Sequence, residues 1–337
     1  MPGQSSGFVC TVDPSEKRVL GRCPIIEPPL IHADPNPRGG MRGAKGIAVF
    51  EGTVFFANHS SVFQFDAEWK PIREITHPSC ASIHDIVYGD DGMWVTSSRN
   101  DLVLALDLAG HILRHINLRA IPEVRHTFGW IEPNLLRDED ILAGTIDFRD
   151  PRCPRYETSD GAHVNSIAFL PTGDLLVMMG FIQPRSIAGA HDAIANAPMN
   201  LNPATGTSAI VRLRADGPVE FPVILNNADT PTHSLMVEAD ATVLFDDTRT
   251  GEVVRLHPET GRETLRLKAT EKFLRGICRI SDDVVVVGTQ EGLTFLDLPR
   301  ERIIGAMALS ANPNESVYDI KVLPEHFGPL PSQLKHP

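Results

Sequence analysis

The chain lacks a long apolar run. Its longest uninterrupted apolar stretches span only a handful of residues, whereas a membrane-spanning helix needs about 20. The first ten residues, MPGQSSGFVC, contain no basic region followed by an apolar one, so we expect no secretory signal. Both absences predict a protein that has no membrane partner.

Cysteine is scarce and scattered. The five cysteines form no CxxC pair, and their number is odd; they are Cys10, Cys23, Cys80, Cys153 and Cys278. This usage excludes a disulfide scaffold and is typical of a reducing compartment. We therefore expect a cytoplasmic protein.

Basic residues are too few to balance the acidic ones. The chain has 31 Lys and Arg against 43 Asp and Glu, which gives a formal net charge of -12. Nucleic acids and anionic membranes carry the same sign of charge, so neither is an expected partner. A small molecule remains the expected partner, and the charge balance leaves the oligomeric state open.

Glycine and proline, which favour turns, are abundant, with 26 Gly and 27 Pro, and they separate short apolar strands. One motif of about 40 residues recurs: two strands around a tight turn, a polar stretch, and two more strands around a second turn. The clearest copy covers residues 82–116, where the strands SIHDIVY and MWVTS flank GDDG. Further copies begin at Lys45, His163, His233 and Arg275. Four-stranded units with this period are typical of β-propeller blades.

The two ends of the chain complete the repeat. SVYDIKVL (Ser316–Leu323) resembles the first strand of a blade, and the N-terminal GFVCTVD and RVLGRC resemble the last two strands. The sequence therefore predicts an all-β fold, a six-bladed β-propeller formed by residues 1–337 as one domain. The C-terminal strand would pair with the N-terminal strands and remove the exposed edges. A seventh blade, with a strand in DEDILAGTI, and a β-sandwich with a second domain remain alternatives.

Two insertions interrupt the repeat, at residues 119–161 and 181–207. The first lies between blades and the second between the second and third strands of a blade. In an up-and-down blade these two kinds of connection share one face, here called the upper face. Long loops on a rigid scaffold often carry function, so we expect the insertions to cover a pocket at the channel mouth.

The first strand of each blade is innermost, and aligning the copies places one polar residue of each at an equivalent position near the upper mouth. These six ring residues are Lys45, His84, Asn165, His233, Arg275 and Tyr318. His163, two residues before Asn165, points the same way by strand alternation. The connections between second and third strands add polar residues at the rim: His59, Arg99, Asp246, Asp247 and Gln290.

The ring predicts a divalent metal site formed by His84, His163, Asn165 and His233. Neutral imidazole favours zinc or iron over calcium. Asp85 and Asp319 follow ring residues and are expected to point off the axis and orient a ring histidine. The alternative is that each histidine caps a blade by hydrogen bonding to a neighbouring backbone group.

The fragments HVNSIAFLPTGDLLV and SIHDIVYGDDGMWV, within this blade pattern, resemble the six-bladed propellers of the gluconolactonase, strictosidine-synthase and NHL-repeat group. They also resemble bacterial propellers of unassigned function. The resemblance implies a divalent cation at the channel mouth, which gluconolactonase-type enzymes bind through a Glu, two Asn and an Asp. Asn165 matches one of those Asn ligands, whereas Lys45, His84 and His233 replace the other oxygen donors.

The pattern indicates a metal- or His-dependent enzyme of hydrolase, lyase or cyclase type that acts on a small polar molecule. Tyr318 would act as an acid or base, and Arg275 and Lys45 would bind anionic groups of the substrate. The alternative is a non-catalytic propeller that uses the same face to bind a ligand or a partner protein.

Overall fold

Antiparallel sheet dominates the chain. The computed structural model describes residues 7–34, 43–128, 137–153, 160–182, 206–226, 230–312 and 315–337. In these residues five four-stranded sheets follow one another, and the strands of each sheet pair in sequence order. Each sheet is therefore an up-and-down blade, and the predicted all-β propeller fold is confirmed.

The strands are numbered in chain order and follow the recurring motif. The N-terminal pair is β1 (Phe8–Asp13) and β2 (Arg18–Pro24). Blade 1 contains β3 (Ile47–Phe50), β4 (Thr53–Ala57), β5 (Ser61–Phe65) and β6 (Pro71–Thr76). Blade 2 contains β7 (Ile86–Gly89), β8 (Gly92–Ser97), β9 (Leu102–Leu106) and β10 (Ile112–Asn117). Blade 3 contains β11 (Val164–Phe169), β12 (Leu175–Ile182), β13 (Thr207–Leu213) and β14 (Glu220–Asn226). Blade 4 contains β15 (His233–Val237), β16 (Val243–Asp247), β17 (Glu252–His257) and β18 (Arg262–Lys268). Blade 5 contains β19 (Leu274–Arg279), β20 (Val284–Thr289), β21 (Gly292–Asp297) and β22 (Arg302–Ala308).

The helices of the described residues are short and lie between the strands. Two α-helices occur in the first insertion, α1 (Pro122–Phe128) and α2 (Asp138–Ala143), and single 3₁₀ turns occur at Ile31–Ala33, Ser98–Asn100 and Leu118–Ala120. The stretch DEDILAGTI, considered above as a strand of a seventh blade, begins with α2 instead, and Gly144 ends that helix in the left-handed conformation. The described residues of 119–161 contain no strand, which argues against a seventh blade there. No helix in the described ranges is long and apolar enough to cross a membrane.

The hydrophobic core lies between neighbouring sheets. For example, Phe55 of blade 1 packs with Met93 of blade 2, and Phe245 of blade 4 packs with Met178 of blade 3. These side chains are almost completely buried. Burial on both faces explains why middle strands such as β9 and β20 are nearly continuous apolar runs, since each face of a blade meets a neighbour.

The sixth position of the ring is filled differently. It contains the two-stranded sheet β1–β2 together with residues 315–323, here called the closing segment, which form no strand. Val317 N donates to Thr289 O of blade 5 (3.1 Å), and Val317 and Ile320 pack against the apolar side chains of that blade. The predicted strand Ser316–Leu323 and its pairing with the N-terminal strands are therefore absent. Five complete blades are present, and six are not confirmed.

Side chains near the axis tie the inner strands together. Each of these linker residues directly follows a ring residue and accepts a backbone N–H from the next inner strand. The bonds run from Ile167 N to Asp85 Oδ2 (3.0 Å), from Leu235 N to Ser166 Oγ (2.9 Å), from Gly276 N to Ser234 Oγ (2.8 Å) and from Ile47 N to Asp319 Oδ2 (2.8 Å). They connect blades 2 to 5 in order and connect the closing segment to blade 1.

At the two remaining junctions a glycine follows the ring residue, and the backbones approach each other directly. A Cβ on Gly46 would lie 2.8 Å from Ile86 N of blade 2, and a Cβ on Gly276 of blade 5 would lie 3.2 Å from Asp319 Cα of the closing segment. Only glycine allows the two backbones to approach so closely. The expectation that Asp85 and Asp319 orient a ring histidine is therefore wrong, because their oxygens hold neighbouring strands together.

We predict that Asp85→Ala lowers the free energy of unfolding by about 1–3 kcal/mol, because the N–H of Ile167 and the hydroxyl of Ser166 lose their acceptor. Urea denaturation of the wild type and the variant measures this difference. Asp90→Ala is the control, since Asp90 is exposed in the turn of the same blade. An Asp85 variant as stable as the control would contradict the linker role.

Candidate functional site

The ring residues lie at the beginning of the inner strands. His233 is the first residue of β15, and Asn165 and Arg275 are the second residues of β11 and β19. Lys45 and His84 come two residues before β3 and β7. Five of the six ring side chains are buried although all are polar; these are Lys45, His84, Asn165, His233 and Arg275. Burying polar groups is costly unless they are paired, so their presence requires an explanation.

Four ring residues meet at one small cavity. His84, Asn165, Arg275 and Tyr318 line a space of about 20 Å³, together with linker residues such as Ser234. This volume holds about one water molecule. Lys45 Nζ lies 5.9 Å from the centre of the Tyr318 ring and so belongs to the same group. His233 does not line the cavity but lies close enough to Arg275 and His163 for their charges to affect it.

The tautomer of His84 is determined by its neighbours. Its Nδ1 lies 2.7 Å from the carbonyl oxygen of Ser82 and 2.8 Å from Ser98 Oγ, and the Ser98 hydroxyl also donates to Val164 O. A carbonyl oxygen can only accept, so Nδ1 must carry the proton. Nε2 is then the nitrogen with a lone pair, and it makes no hydrogen bond with any described residue.

The other two histidines are oriented in the same way. His233 Nδ1 lies 2.8 Å from Thr248 Oγ1, whose hydroxyl donates to Leu274 O, so the hydroxyl oxygen accepts from His233. His163 Nδ1 lies 3.1 Å from the Asp160 carboxylate. Acceptors at Nδ1 leave Nε2 available as a base or ligand, an arrangement common among functional histidines.

His163 reaches the ring by a different route from the one expected. It precedes β11 and has a φ of 47°, so strand alternation does not direct its side chain. The left-handed turn nevertheless brings its ring against His84, with 4.8 Å between ring centres. His163 therefore lies beside the ring as predicted, but the cause is this local turn and not the alternation of side chains along a strand.

Burial and nearby cations keep two ring histidines neutral. Burial, and then the charges of Lys45, His163 and Arg275, lower the pKa of His84 well below its usual value. Burial, Arg275 and His163 do the same to the pKa of His233. Both imidazoles are therefore unprotonated at neutral pH and can accept a proton or bind a ligand through Nε2.

The cations of the site are held by an aromatic ring. The Arg275 guanidinium lies over the ring of Tyr318, with 3.6 Å from Cζ to the ring centre. Such stacking favours a fixed orientation for the guanidinium plane. Arg275 Nη2 is buried and makes no hydrogen bond with a described residue. A donor in this state is rare in proteins and indicates a missing polar partner.

The predicted metal site is supported only in part by the donor set. Asn165 Nδ2 donates to Thr232 O (2.5 Å), and its buried Oδ1 has no hydrogen-bond partner among the residues that the structure describes, which suits a carbonyl ligand. However, no three His, Cys, Asp or Glu side chains in the described ranges lie close enough together to hold a metal ion. Lys45 and Arg275 would also repel a cation. The metal ion therefore stays a prediction.

The first insertion is attached beside the ring. Arg99, on the connection between β8 and β9, donates to the carbonyl oxygens of Phe148, Asp150 and Cys153. Asp160, near the end of the insertion, bonds to His163. The insertion thus contributes one side chain to the site. Most of the second insertion, residues 183–205, and His191 within it lie outside the described residues.

The rim residues occupy more buried positions than expected. His59 is buried, and burial, Lys45 and Arg99 lower its pKa well below the usual value. Asp246 and Asp247 end β16 and are fully buried. Asp247 pairs with Arg249 and Arg266, whereas burial raises the pKa of Asp246, and the Ser234 hydroxyl and the Arg275 charge oppose that shift.

Sequence reasoning missed the groups that orient the histidines. Ser98 and Thr248 occupy the same position of their blades, directly after the second strand, and both contact Nδ1 of the ring histidine of their own blade. The sequence did contain a signal for this role, because the two blades with a ring histidine both have a hydroxyl residue at this position. The role of Asp160 had no such signal, because it depends on the path of the insertion.

The chain resembles several solved propellers. No protein-family model and no curated protein matches it. A protein of unknown function from Bacteroides caccae is 10% identical with a TM-score of 0.52, over 90% of each chain. A chain of the nidogen–laminin complex is 13% identical with a TM-score of 0.52, over 82% of this chain and 84% of that one. A gluconolactonase-like protein is 12% identical with a TM-score of 0.50, over 82% and 80%. At these identities the similarity shows the β-propeller fold alone.

We predict that the rings of His84 and His233 remain neutral, with the proton on Nδ1, in the pH range in which unfolded histidines become protonated, because burial lowers the pKa of both. Nitrogen-15 NMR of labelled histidine measures both the tautomer and the titration. Unfolded histidines protonate near pH 6.5, so the free energy of unfolding should decrease as the pH falls below that value. Exposed His111 is the internal control. Protonation of either buried ring near pH 6.5 would contradict the prediction.

Proposed function

We propose that the chain is a His-dependent enzyme of hydrolase, lyase or cyclase type that acts on a small anionic molecule at the ring. The observation that carries the proposal is the combination of neutral imidazoles with buried cations in one ring of side chains near the axis. His84 and His233 keep Nε2 unprotonated, and Arg275 and Lys45 provide positive charge beside them. A binding surface alone does not require anchored, neutral histidines.

The chemistry assigned to the ring is acid–base catalysis. His84 or His233 accepts a proton at Nε2, while the hydrogen bond at Nδ1 holds the ring plane and stabilises the imidazolium that forms. Arg275 and Lys45 bind the anionic group and stabilise negative charge that develops in the transition state. Tyr318, against the Arg275 guanidinium, supplies the hydroxyl that returns a proton. These steps are common to ester hydrolysis, elimination and cyclisation.

The second candidate function is binding without catalysis. A chain of the nidogen–laminin complex has the same fold, so the architecture is compatible with a binding role as well as with an enzyme. The buried polar ring would then recognise one group of a ligand. Turnover separates the two candidates, because a binding propeller holds the ligand unchanged.

A metal-dependent form of the same proposal uses His84, His163, Asn165 and His233 as ligands. A bound divalent ion would polarise a carbonyl group or activate water. Asn165 Oδ1, buried and unpartnered, supports this form, and the charges of Lys45 and Arg275 oppose it. The metal-free form is therefore the better supported one.

We predict that His84→Gln and His233→Gln each reduce turnover by about 10²–10⁴-fold, the usual contribution of a positioned acid or base. Small esters, lactones and hydroxy acids are incubated with the protein and followed by proton NMR. His111→Gln, on the exposed surface, is the control, and thermal melting verifies folding of every variant. Turnover that both ring variants retain would place the reaction elsewhere, and binding without turnover would favour the second candidate.

We predict that protein purified without an affinity tag contains much less than one divalent ion per chain. Elemental analysis by mass spectrometry measures the content, before and after dialysis against zinc or iron. One ion per chain that is lost in both His84→Ala and His233→Ala would establish the metal-dependent form instead.

A further inference from the structure

A second and much larger cavity lies on the upper face, outside the ring; it is here called the upper cleft. Its volume is about 550 Å³, within the range of pockets that hold small molecules, whereas the axial cavity holds about one water molecule. Its lining residues come from three upper-face connections, at Thr230, at residues 248–252 and at residues 268–273. None of the six ring residues lines it.

Hydrogen bonds between two of these connections fix the walls of the upper cleft. Gly251 O accepts the N–H groups of Ala269 (2.9 Å) and Thr270 (3.2 Å), and Lys268 Nζ donates to Thr250 O (2.7 Å). The two connections therefore keep their spacing without a ligand. A site that is formed in advance loses less conformational entropy when it binds.

The inner wall of the upper cleft is formed by residues that contact His233. Thr248 lines the cleft, and its hydroxyl oxygen accepts from His233 Nδ1 (2.8 Å). Phe273 also lines it, and the centre of its ring lies 5.2 Å from the centre of the His233 ring. A ligand in the cleft would therefore contact two side chains that hold His233 in place.

Every charged side chain that lines the upper cleft already has a partner of opposite charge. The ion pairs are Arg249 with Asp247 (3.0 Å), Glu252 with Arg266 (2.8 Å), Lys268 with Glu271 (2.9 Å) and Lys272 with Glu291. A charged ligand would lose its hydration without gaining a free counter-charge. The same pairs nevertheless place both N–H donors and carboxylate acceptors along the wall, which suits a neutral ligand with many polar groups.

We propose that the upper cleft binds an uncharged sugar. A hydroxyl group both donates and accepts, so the hydroxyl groups of a sugar can bond to the cationic and the anionic members of the paired side chains. Thr230 and Thr250 add hydroxyl groups to the wall, and Phe273 supplies an apolar aromatic face for the C–H groups of the sugar. The inference goes beyond the proposed function, because the cleft uses none of the ring residues.

Three kinds of probe with six-membered rings test the ligand class. The methyl glycosides of glucose, galactose and mannose are uncharged and rich in hydroxyl groups, cyclohexanol has one hydroxyl group, and glucuronate adds a carboxylate. NMR titration of protein with nitrogen-15-labelled histidine measures the affinities from the His233 ring signals. We expect the best glycoside to bind at least about tenfold more tightly than cyclohexanol, which lacks the hydroxyl groups. It should also bind more tightly than glucuronate.

The same spectra locate the bound sugar. The His233 signals should shift, because Thr248 and Phe273 contact that imidazole, while the His84 signals stay in place. Shifts at His84 alone would place the sugar at the axis, and tighter binding of glucuronate would show an anion site. Either result, or the absence of saturable binding by all three glycosides, would overturn the proposal.

Two variants of lining residues complete the test. Phe273→Leu keeps an apolar side chain but removes the aromatic face, and Glu271→Ala removes an acceptor whose side chain is 87% exposed. Each should weaken glycoside binding about threefold or more. Glu68→Ala, in an exposed turn of blade 1 on the opposite face, is the control, and thermal melting verifies folding. Unchanged affinity in both lining variants would contradict the sugar site.

Lactose distinguishes a free sugar from the end of a glycan. Tighter binding of lactose than of methyl galactoside would mean that a second sugar unit is held, and equal or weaker binding would mean that one unit fills the cleft; both results retain the proposal. The cleft and the reaction at the ring fail separately. Glycoside binding that His84→Gln leaves unchanged, in a protein without turnover, would retain the cleft and reject the enzyme.

Discussion

The hydrogen bonds between linker residues and neighbouring inner strands are the constraint on which the rest of the structure depends. Adjacent sheets of a propeller share no β-ladder, so apolar packing alone would leave their rotation and their distance from the axis loosely specified. A directional bond at four of the six junctions, as at Asp85 and Ser166, and a close backbone approach at the other two fix both. Four ring residues directly precede a linker residue, so the same bonds fix where their side chains begin; these are His84, Asn165, His233 and Tyr318.

This arrangement couples closure of the fold to the site. The closing segment contributes Asp319, which bonds to blade 1, and Tyr318, on which the Arg275 guanidinium rests. A single stretch of chain therefore completes the circle and orients a buried cation. It does so without strand geometry, because side-chain bonds and packing against blade 5 supply the attachment that a ladder would normally give. A loss of order in this segment would disturb the site before it disturbed any complete blade.

Strand positions could be predicted from the sequence, whereas contacts that depend on the path of loops could not. Alternating apolar residues and turn signals located all five complete blades, since their strands satisfy local rules. The sixth position could not be predicted in this way. SVYDIKVL resembles the first strands of the blades, but that resemblance does not show whether a neighbouring strand is available to pair with it. Repeat alignment gave His84 and Asn165 equivalent positions, and both line the axial cavity. Asp85 was misassigned, because alternation gives the side of a strand and not the partner across a blade boundary.

The electrostatic contrast between the surface and the axis limits what can enter. The chain carries a net charge of -12, yet no ring residue is acidic, and Lys45 and Arg275 are both buried there. An extended polyanion is repelled by the surface before it reaches the axis, whereas a small monoanion experiences the local positive field at the mouth. Burial first, and then the same field, lower the pKa of His84 and His233 and so keep their Nε2 atoms unprotonated. Anion binding and a neutral imidazole are therefore two consequences of one charge distribution.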